Sequence, residues 1–305
     1  MRNQKYIMTK YRLTALLIFC FLSLSMIHAQ NYETYTYLEN DSLTLELDLF
    51  LPENLSQDGV PLVIYVHGGG FSTGNRTSGH NLAKHLVENN IACASITYTL
   101  YMKDKSFGCD GILSEKVKAI RIAASQLWHA TDFLIKKSQQ HHLDTSRIFI
   151  AGSSAGAETV LHAAYWDRSS MQLYGRVLPK EFEYSGVIAG AGAIMDLNLI
   201  TKENKLPMMF FHGNEDPLVP YATASHHYCP PHSSGWLMLF GSYSIAEHLR
   251  EINGTYSLTT FQGGNHSYAG AFIYQNQQPV VDFITRVLAG EKFREHRLID
   301  VKRSR

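Results

Sequence analysis

The stretch FIAGSSAGAE, residues 149–158, sets two serines side by side between two glycines, with an apolar run before it and alanine-rich sequence after it. RIFIAG (147–152) has the short, apolar pattern of a buried strand, and AGAETVLHAAYW, which follows Ser154, has helical composition. A G-x-S-x-G at such a junction is a sharp, strained turn that lifts one side chain above the end of a sheet, with small flanking residues avoiding a clash. Counting between Gly152 and Gly156 puts Ser154 in the lifted position and Ser153 in the variable position beside it. Five residues alone would also fit a glycine-rich strand exit, so the rest of the chain has to support the turn.

Working outward, further apolar runs occur at PLVIYV (61–66), IACASITY (91–98), SGVIAGAGA (185–193), PMMFFHG (207–213) and YSLTTFQG (256–263). Helix-like stretches lie between them. The longest, residues 114–140, repeats Ile120, Ala123, Ala124, Leu127, Thr131 and Leu134 at helical spacing. Continuous apolar strands alternating with helices predict an α/β fold with a mostly parallel sheet covered on both faces. Upstream, YETYTYLENDSLTLELDLFLP (32–52) alternates apolar and polar residues, as an antiparallel hairpin at the sheet edge does. No repeat, low-complexity tract or Pro/Gly-rich linker divides residues 31–305, which read as one domain.

Three other segments carry chemistry. VIYVHGGGF (63–71) ends a strand in three glycines whose backbone N–H groups can approach a developing oxyanion; Gly69 and Gly70 are the expected donors, joined by the N–H of Ala155. The Lys-Ser/Thr of a Walker-type phosphate loop is absent there. FFHGNEDPLVPY (210–221) offers two carboxylates after a strand, and the HG-x-x-D-x-x-VP spacing selects Asp216 over its neighbour Glu215 as the partner of an imidazole. Among fifteen histidines, His266 in FQGGNHSYAG follows the last strand and precedes the helical PVVDFITRVLAG, completing the order Ser, Asp, His. His226, His227 and His232 follow the acid with no strand to present them and are expected on the surface, as are His141 and His142. Their spacing to Cys229 matches no tetrahedral zinc pattern.

Lysines plus arginines equal aspartates plus glutamates at 27 each, so there is no basic field to gather nucleic acid. Arg2, Lys5, Lys10 and Arg12 precede the uncharged LTALLIFCFLSLSMIHA (13–29), the order of a signal peptide cleaved after Ala29, or alternatively of an uncleaved anchor. Phe19 before Cys20 is too large for a lipobox. The expected location is secreted or periplasmic, without stable membrane insertion after cleavage; oligomeric state is not encoded in any feature of the chain. Of the cysteines that remain, Cys93 sits in an apolar strand pattern, which leaves Cys109 and Cys229 as candidates for a disulfide.

HGGGF, GSSAG, HGNEDPLVP and GGNHS, in this order, resemble the α/β-hydrolase superfamily and within it the HGGG-type serine carboxylesterases, including secreted bacterial acetyl and feruloyl esterase-like hydrolases. The resemblance implies a Ser154–His266–Asp216 triad that hydrolyses carboxylic esters through an acyl-enzyme without metal or cofactor. Its substrates would be small molecules or acetylated or feruloylated polysaccharide fragments. An amidase or peptidase of the same fold, or a non-catalytic adhesion module, are the alternatives. About thirty residues between the cleavage point and the glycine-loop strand are too few for a large N-terminal cap. Two segments are placed to roof the pocket instead, residues 99–112 and 228–242, with Phe107 and Trp236 able either to stack on substrate or to pack beneath the loops.

Overall fold

The alternating segment near residue 32 forms β1 (Glu33–Asn40) and β2 (Leu43–Phe50), paired antiparallel with Glu33 opposite Leu49. The computed structural model describes residues 32–54, 58–175 and 178–301; the leader expected over residues 1–29 lies outside the described residues. The remaining strands are β3 (Val60–Val66), β4 (Ala92–Ile96), β5 (Leu143–Ser153), β6 (Gly186–Gly190), β7 (Ala193–Ile194), β8 (Met208–Gly213), β9 (Thr223–Ser225), β10 (Met238–Gly241), β11 (Tyr256–Gln262) and β12 (Arg294–Asp300). Among the described residues the main sheet has nine strands in the order β1-β2-β4-β3-β5-β6-β8-β11-β12. Every neighbouring pair from β4–β3 to β11–β12 is parallel, while β2 meets β4 antiparallel. The fold is therefore the expected α/β arrangement with an antiparallel hairpin at one edge.

Among the described residues, five helices of nine or more residues cover the sheet: α1 (His80–Glu88), α2 (Leu113–Lys136), α3 (Ala155–Tyr165), α4 (Ser242–Glu251) and α5 (Gln278–Leu288). Because successive strand side chains point to opposite faces, β5 serves two cores at once. Ile148 and Ile150 pack with Leu127, Trp128 and Val160 of α2 and α3, whereas Phe149 and Ala151 pack with Leu82 and Leu86 of α1 and Val280 and Ile284 of α5. Each fully buried aliphatic side chain contributes about 1.5–3 kcal/mol by leaving water. The Trp128 indole N–H donates to the Ala163 carbonyl at 2.9 Å, which ties α2 to α3, the helix that begins beside Ser154.

Several expectations are corrected. β12, in REHRLID, was not anticipated, since six of its seven residues are exposed and its charges mask the strand pattern until it pairs with β11. The long helix stops at Lys136, and a separate turn at residues 138–141 ends at His142, whose φ is 51°. His141 is buried rather than on the surface, with its Nε2 3.0 Å from the Tyr35 hydroxyl, while His142 is exposed. A second, small antiparallel sheet, β7-β10-β9, stands beside the acid loop. Cys109 and Cys229 are bonded, with Cα atoms 5.2 Å apart, and Cys93 is a buried free thiol. No helix among the described residues is long and apolar enough to cross a membrane.

Candidate active site

β5 ends at Ser153 and α3 begins at Ala155, so Ser154 makes the whole turn between them, with φ 54° and ψ −125°. A non-glycine residue in that region costs about 1–3 kcal/mol and persists only where the surroundings hold it. Here the Ser154 N–H donates to the Gly190 carbonyl at 2.8 Å, and its own carbonyl accepts from Glu158 N–H at 3.0 Å. The turn packs hard against β3: a Cβ on Gly156 would lie 2.1 Å from the Val66 carbonyl oxygen. Ser153 is buried, its hydroxyl 3.0 Å from that of Tyr274 and 3.3 Å from that of Tyr65. Of the two adjacent serines, only Ser154 meets a base.

Ser154 Oγ is 2.8 Å from His266 Nε2, and His266 Nδ1 is 2.6 Å from Asp216 Oδ2. An ionised carboxylate only accepts, so Nδ1 carries the hydrogen and the Nε2 lone pair faces the serine hydroxyl. Asp216 Oδ1 accepts the backbone N–H groups of Leu218 and Val219 at 2.8 and 3.1 Å. Burial would raise the Asp216 carboxyl, but hydrogen bonds from His212 and His266 reverse this and hold it well below the ordinary carboxylate range. Glu215 is exposed at the same turn, its N–H donating to the Gly264 carbonyl at 2.9 Å.

His212 was missed by the sequence reading. Wholly buried at the end of β8, it places Nε2 3.2 Å from both Asp216 Oδ2 and the Val219 carbonyl oxygen, and Nδ1 2.9 Å from Ser242 Oγ. Two acceptors at Nε2 put the hydrogen there, so the Ser242 hydroxyl donates to Nδ1 and His212 braces the carboxylate from behind. The available signal was the His-Gly pair ending an apolar strand four residues before an aspartate.

Gly68, Gly69, Gly70 and Ala155 border the same cavity as Ser154 and His266. Gly69 adopts φ +112°, which side-chain-bearing residues rarely reach, and its carbonyl accepts from Ser72 and Thr73 N–H at 3.1 and 3.0 Å, curling the loop back on itself. His67 donates from Nδ1 to the Gly68 carbonyl at 2.7 Å, and its ring stacks on Tyr98 at 4.3 Å. The Tyr98 hydroxyl donates in turn to the His67 carbonyl at 3.0 Å.

The cavity has a volume of about 560 Å³ and is walled by Lys105 and Phe107 from the first roof segment and by Leu218, Val219, His226 and His227 from the acid side. Phe107 packs between Phe71 and His226, with ring centroids 5.1 and 5.0 Å away. Trp236 is not among the lining residues, so the expected contact between it and a substrate has no basis here. The segment 228–242 acts as a strut rather than a roof. It holds the first segment through Cys109–Cys229, the Gly235 N–H to Cys109 carbonyl bond of 3.0 Å and the Leu113 N–H to Ser234 carbonyl bond of 3.1 Å. Lys116 Nζ bridges both segments, donating to the Gly108 and Gly235 carbonyls at 3.2 and 2.7 Å. His226 is 2% exposed, contrary to expectation, because β9 precedes it and turns it inward; His227 is half-buried and His232 exposed.

Solved structures with a similar fold include Thermogutta terrifontis esterase 2 phosphorylated by paraoxon, with a TM-score of 0.63 and 13% identity over 86% of this chain and 94% of that one. The butyrate-bound form of the Thermogutta terrifontis enzyme Est2 matches with a TM-score of 0.63 and 14% identity over the same shares. At such identity the likeness is one of fold. The sequence profile of BD-FAE matches residues 47–204, just over half of the chain, a span that includes the glycine loop and Ser154. The chain thus belongs to the BD-FAE family, an esterase family of the α/β-hydrolase type.

Proposed function

We propose that the protein hydrolyses carboxylic esters by a serine mechanism. Ser154 Oγ attacks the ester carbonyl carbon as His266 Nε2 takes its proton, and the imidazolium so formed faces the Asp216 carboxylate. The N–H groups of Gly69, Gly70 and Ala155 receive the oxyanion. His266 then returns the proton to the departing alcohol oxygen, and a water activated by the same nitrogen releases the acid and restores Ser154. Neither a metal nor an organic cofactor enters these steps. The observation that carries the reading is the unbroken hydrogen-bond chain from Ser154 through His266 to Asp216, opening on the cavity beside the glycine loop.

Family membership supports ester chemistry, and the Thermogutta terrifontis neighbours, described as phosphorylated by paraoxon and as butyrate-bound, favour a short acyl group and a phosphorylatable serine. Acetylated or feruloylated polysaccharide fragments outside the cytoplasm are the substrates we favour. The charged-then-apolar N-terminus and the Cys109–Cys229 bridge are both consistent with an oxidising compartment. Turnover of p-nitrophenyl acetate, acetylated xylan and methyl ferulate, with paraoxon labelling mapped by mass spectrometry, tests the proposal. Turnover of at least one ester and a single label on Ser154 are expected; no turnover and no label would refute it.

A further inference from the structure

Two polar side chains in the cavity wall have no part in the hydrolytic relay. Glu158 stands on α3 four residues after Ser154, roughly 6 Å along the helix axis. It is 1% exposed and borders the cavity, as does His226 at 2%. Glu158 Oε1 and His226 Nδ1 have no hydrogen-bond partner among the described residues. Their closest approach, His226 Nε2 to Glu158 Oε1, is 3.5 Å, beyond ordinary hydrogen-bond range. Lys116, the cation whose charge acts on Glu158, directs its ammonium to the Gly108 and Gly235 carbonyls instead. Phe107, edge-on to His226, packs against that ring.

Unpaired polar groups are costly to bury, so Glu158 Oε1 and His226 Nδ1, both unpaired at the wall of a substrate cavity, call for a ligand group beside them. The charge state narrows its chemistry. Burial pushes Glu158 up to about 8, against the pull of Lys116 and with a further push from the Asp216 carboxylate, and burial pushes His226 well below the ordinary histidine value. At neutral pH both are uncharged, and each offers one donor and one acceptor. That pair suits a hydroxyl, which also donates and accepts, and suits neither a carboxylate nor an ammonium ion.

We propose that Glu158 and His226 form a hydroxyl-binding subsite, so that the protein prefers esters carrying a free hydroxyl close to the scissile bond, as partly acylated polyols, sugars and hydroxy-acid esters do. The inference rests on the Ser154 hydrolase reading and adds the polar recognition that reading lacks.

Three esters separate the possibilities: ethyl acetate as reference, 2-hydroxyethyl acetate with the hydroxyl on the alcohol side, and ethyl glycolate with it on the acyl side. Hydrolysis is followed by pH-stat at pH 7. At least one hydroxylated ester is expected to exceed the reference in kcat/KM. Glu158→Leu and His226→Leu are expected to lower that ratio by roughly 10- to 100-fold, the scale of one or two lost hydrogen bonds. Glu158→Gln, which keeps a donor and an acceptor, should retain most of the ratio, a rescue that a purely structural glutamate would not produce. Which ester shows the change tells whether the hydroxyl belongs to the alcohol or to the acid. Wild-type hydrolysis of all three without preference, or Leu variants with the wild-type ratio, would overturn the subsite alone. Failure to hydrolyse any of the three would instead overturn the hydrolase reading beneath it.

Discussion

Replacing Asp216 by asparagine exchanges an acceptor-only group for an amide with one accepting oxygen and one donating NH2, and the surroundings decide which way the amide turns. Oδ1 accepts two backbone N–H groups, from Leu218 at 2.8 Å and Val219 at 3.1 Å. An NH2 facing them would set donors against donors, so the amide oxygen takes that place and the NH2 points at His266 and His212. His266 must then accept at Nδ1 and carry its hydrogen on Nε2, 2.8 Å from Ser154 Oγ, where it can no longer take the serine proton. His212 Nε2, 3.2 Å from the replaced oxygen, keeps the Val219 carbonyl as its acceptor at 3.2 Å and loses the carboxylate. Loss of tautomer control at a triad lowers kcat by about 10⁴-fold, or about 5.5 kcal/mol of barrier. Initial rates on p-nitrophenyl acetate should show that loss for Asp216→Asn. Glu215→Gln should stay within about twofold, since Glu215 is exposed and the carboxylate bonded to His266 Nδ1 is that of Asp216. A loss under about tenfold for Asp216→Asn, or equal losses for the two variants, would refute the assignment of the acid.

Ser154→Ala should abolish paraoxon labelling and lower kcat by roughly 10⁴-fold or more, while Ser153→Ala, whose hydroxyl contacts Tyr65 and Tyr274 instead of His266, keeps both; the reverse pattern would misplace the turn. Gly156→Ala drives a methyl to 2.1 Å from the Val66 carbonyl oxygen, so about 1–3 kcal/mol of overpacking should lower Tm by roughly 5–10 °C, and an unchanged thermal melt would contradict the packing of the turn. Removing the 120-residue bridge with Cys109→Ser and Cys229→Ser should cost about 4–5 kcal/mol in the chain-entropy account. From residue 31 onward, the denatured, unreduced protein should show one alkylated thiol, at Cys93; three would rule the bridge out. Glu158 has a folded pKa of about 8, raised above its unfolded value, so its contribution to stability is fully present below about pH 4.5 and is lost as pH rises toward 8. Glu158→Gln should therefore gain in urea stability relative to wild type between pH 5 and pH 8, and a difference independent of pH would show that the carboxyl ionises freely.

The amino-acid sequence by itself determined what depends on neighbours along the chain. Apolar runs bounded by turn residues placed the central parallel strands, the 3.6-residue period placed α2, and the glycines around Ser154 distinguished it from Ser153, because a sharp strand-to-helix turn has local steric requirements. The acid and the base were legible for a related reason: each follows a strand that ends at the same rim of the sheet, so chain order translated into place. Tertiary structure alone decided what depends on partners far along the chain. β12 owes its existence to β11, since its own residues are mostly charged and exposed. Trp236 lies outside the cavity lining, in a segment whose bonds run to the opposite loop. His212 acquired a role only when Asp216 and Ser242 closed around it. Glu158 reads along the chain as an ordinary helical glutamate and His226 as an ordinary loop histidine. Their burial, their altered protonation and their facing each other beside Ser154 arise from packing α3 beneath the acid loop, which no local pattern records.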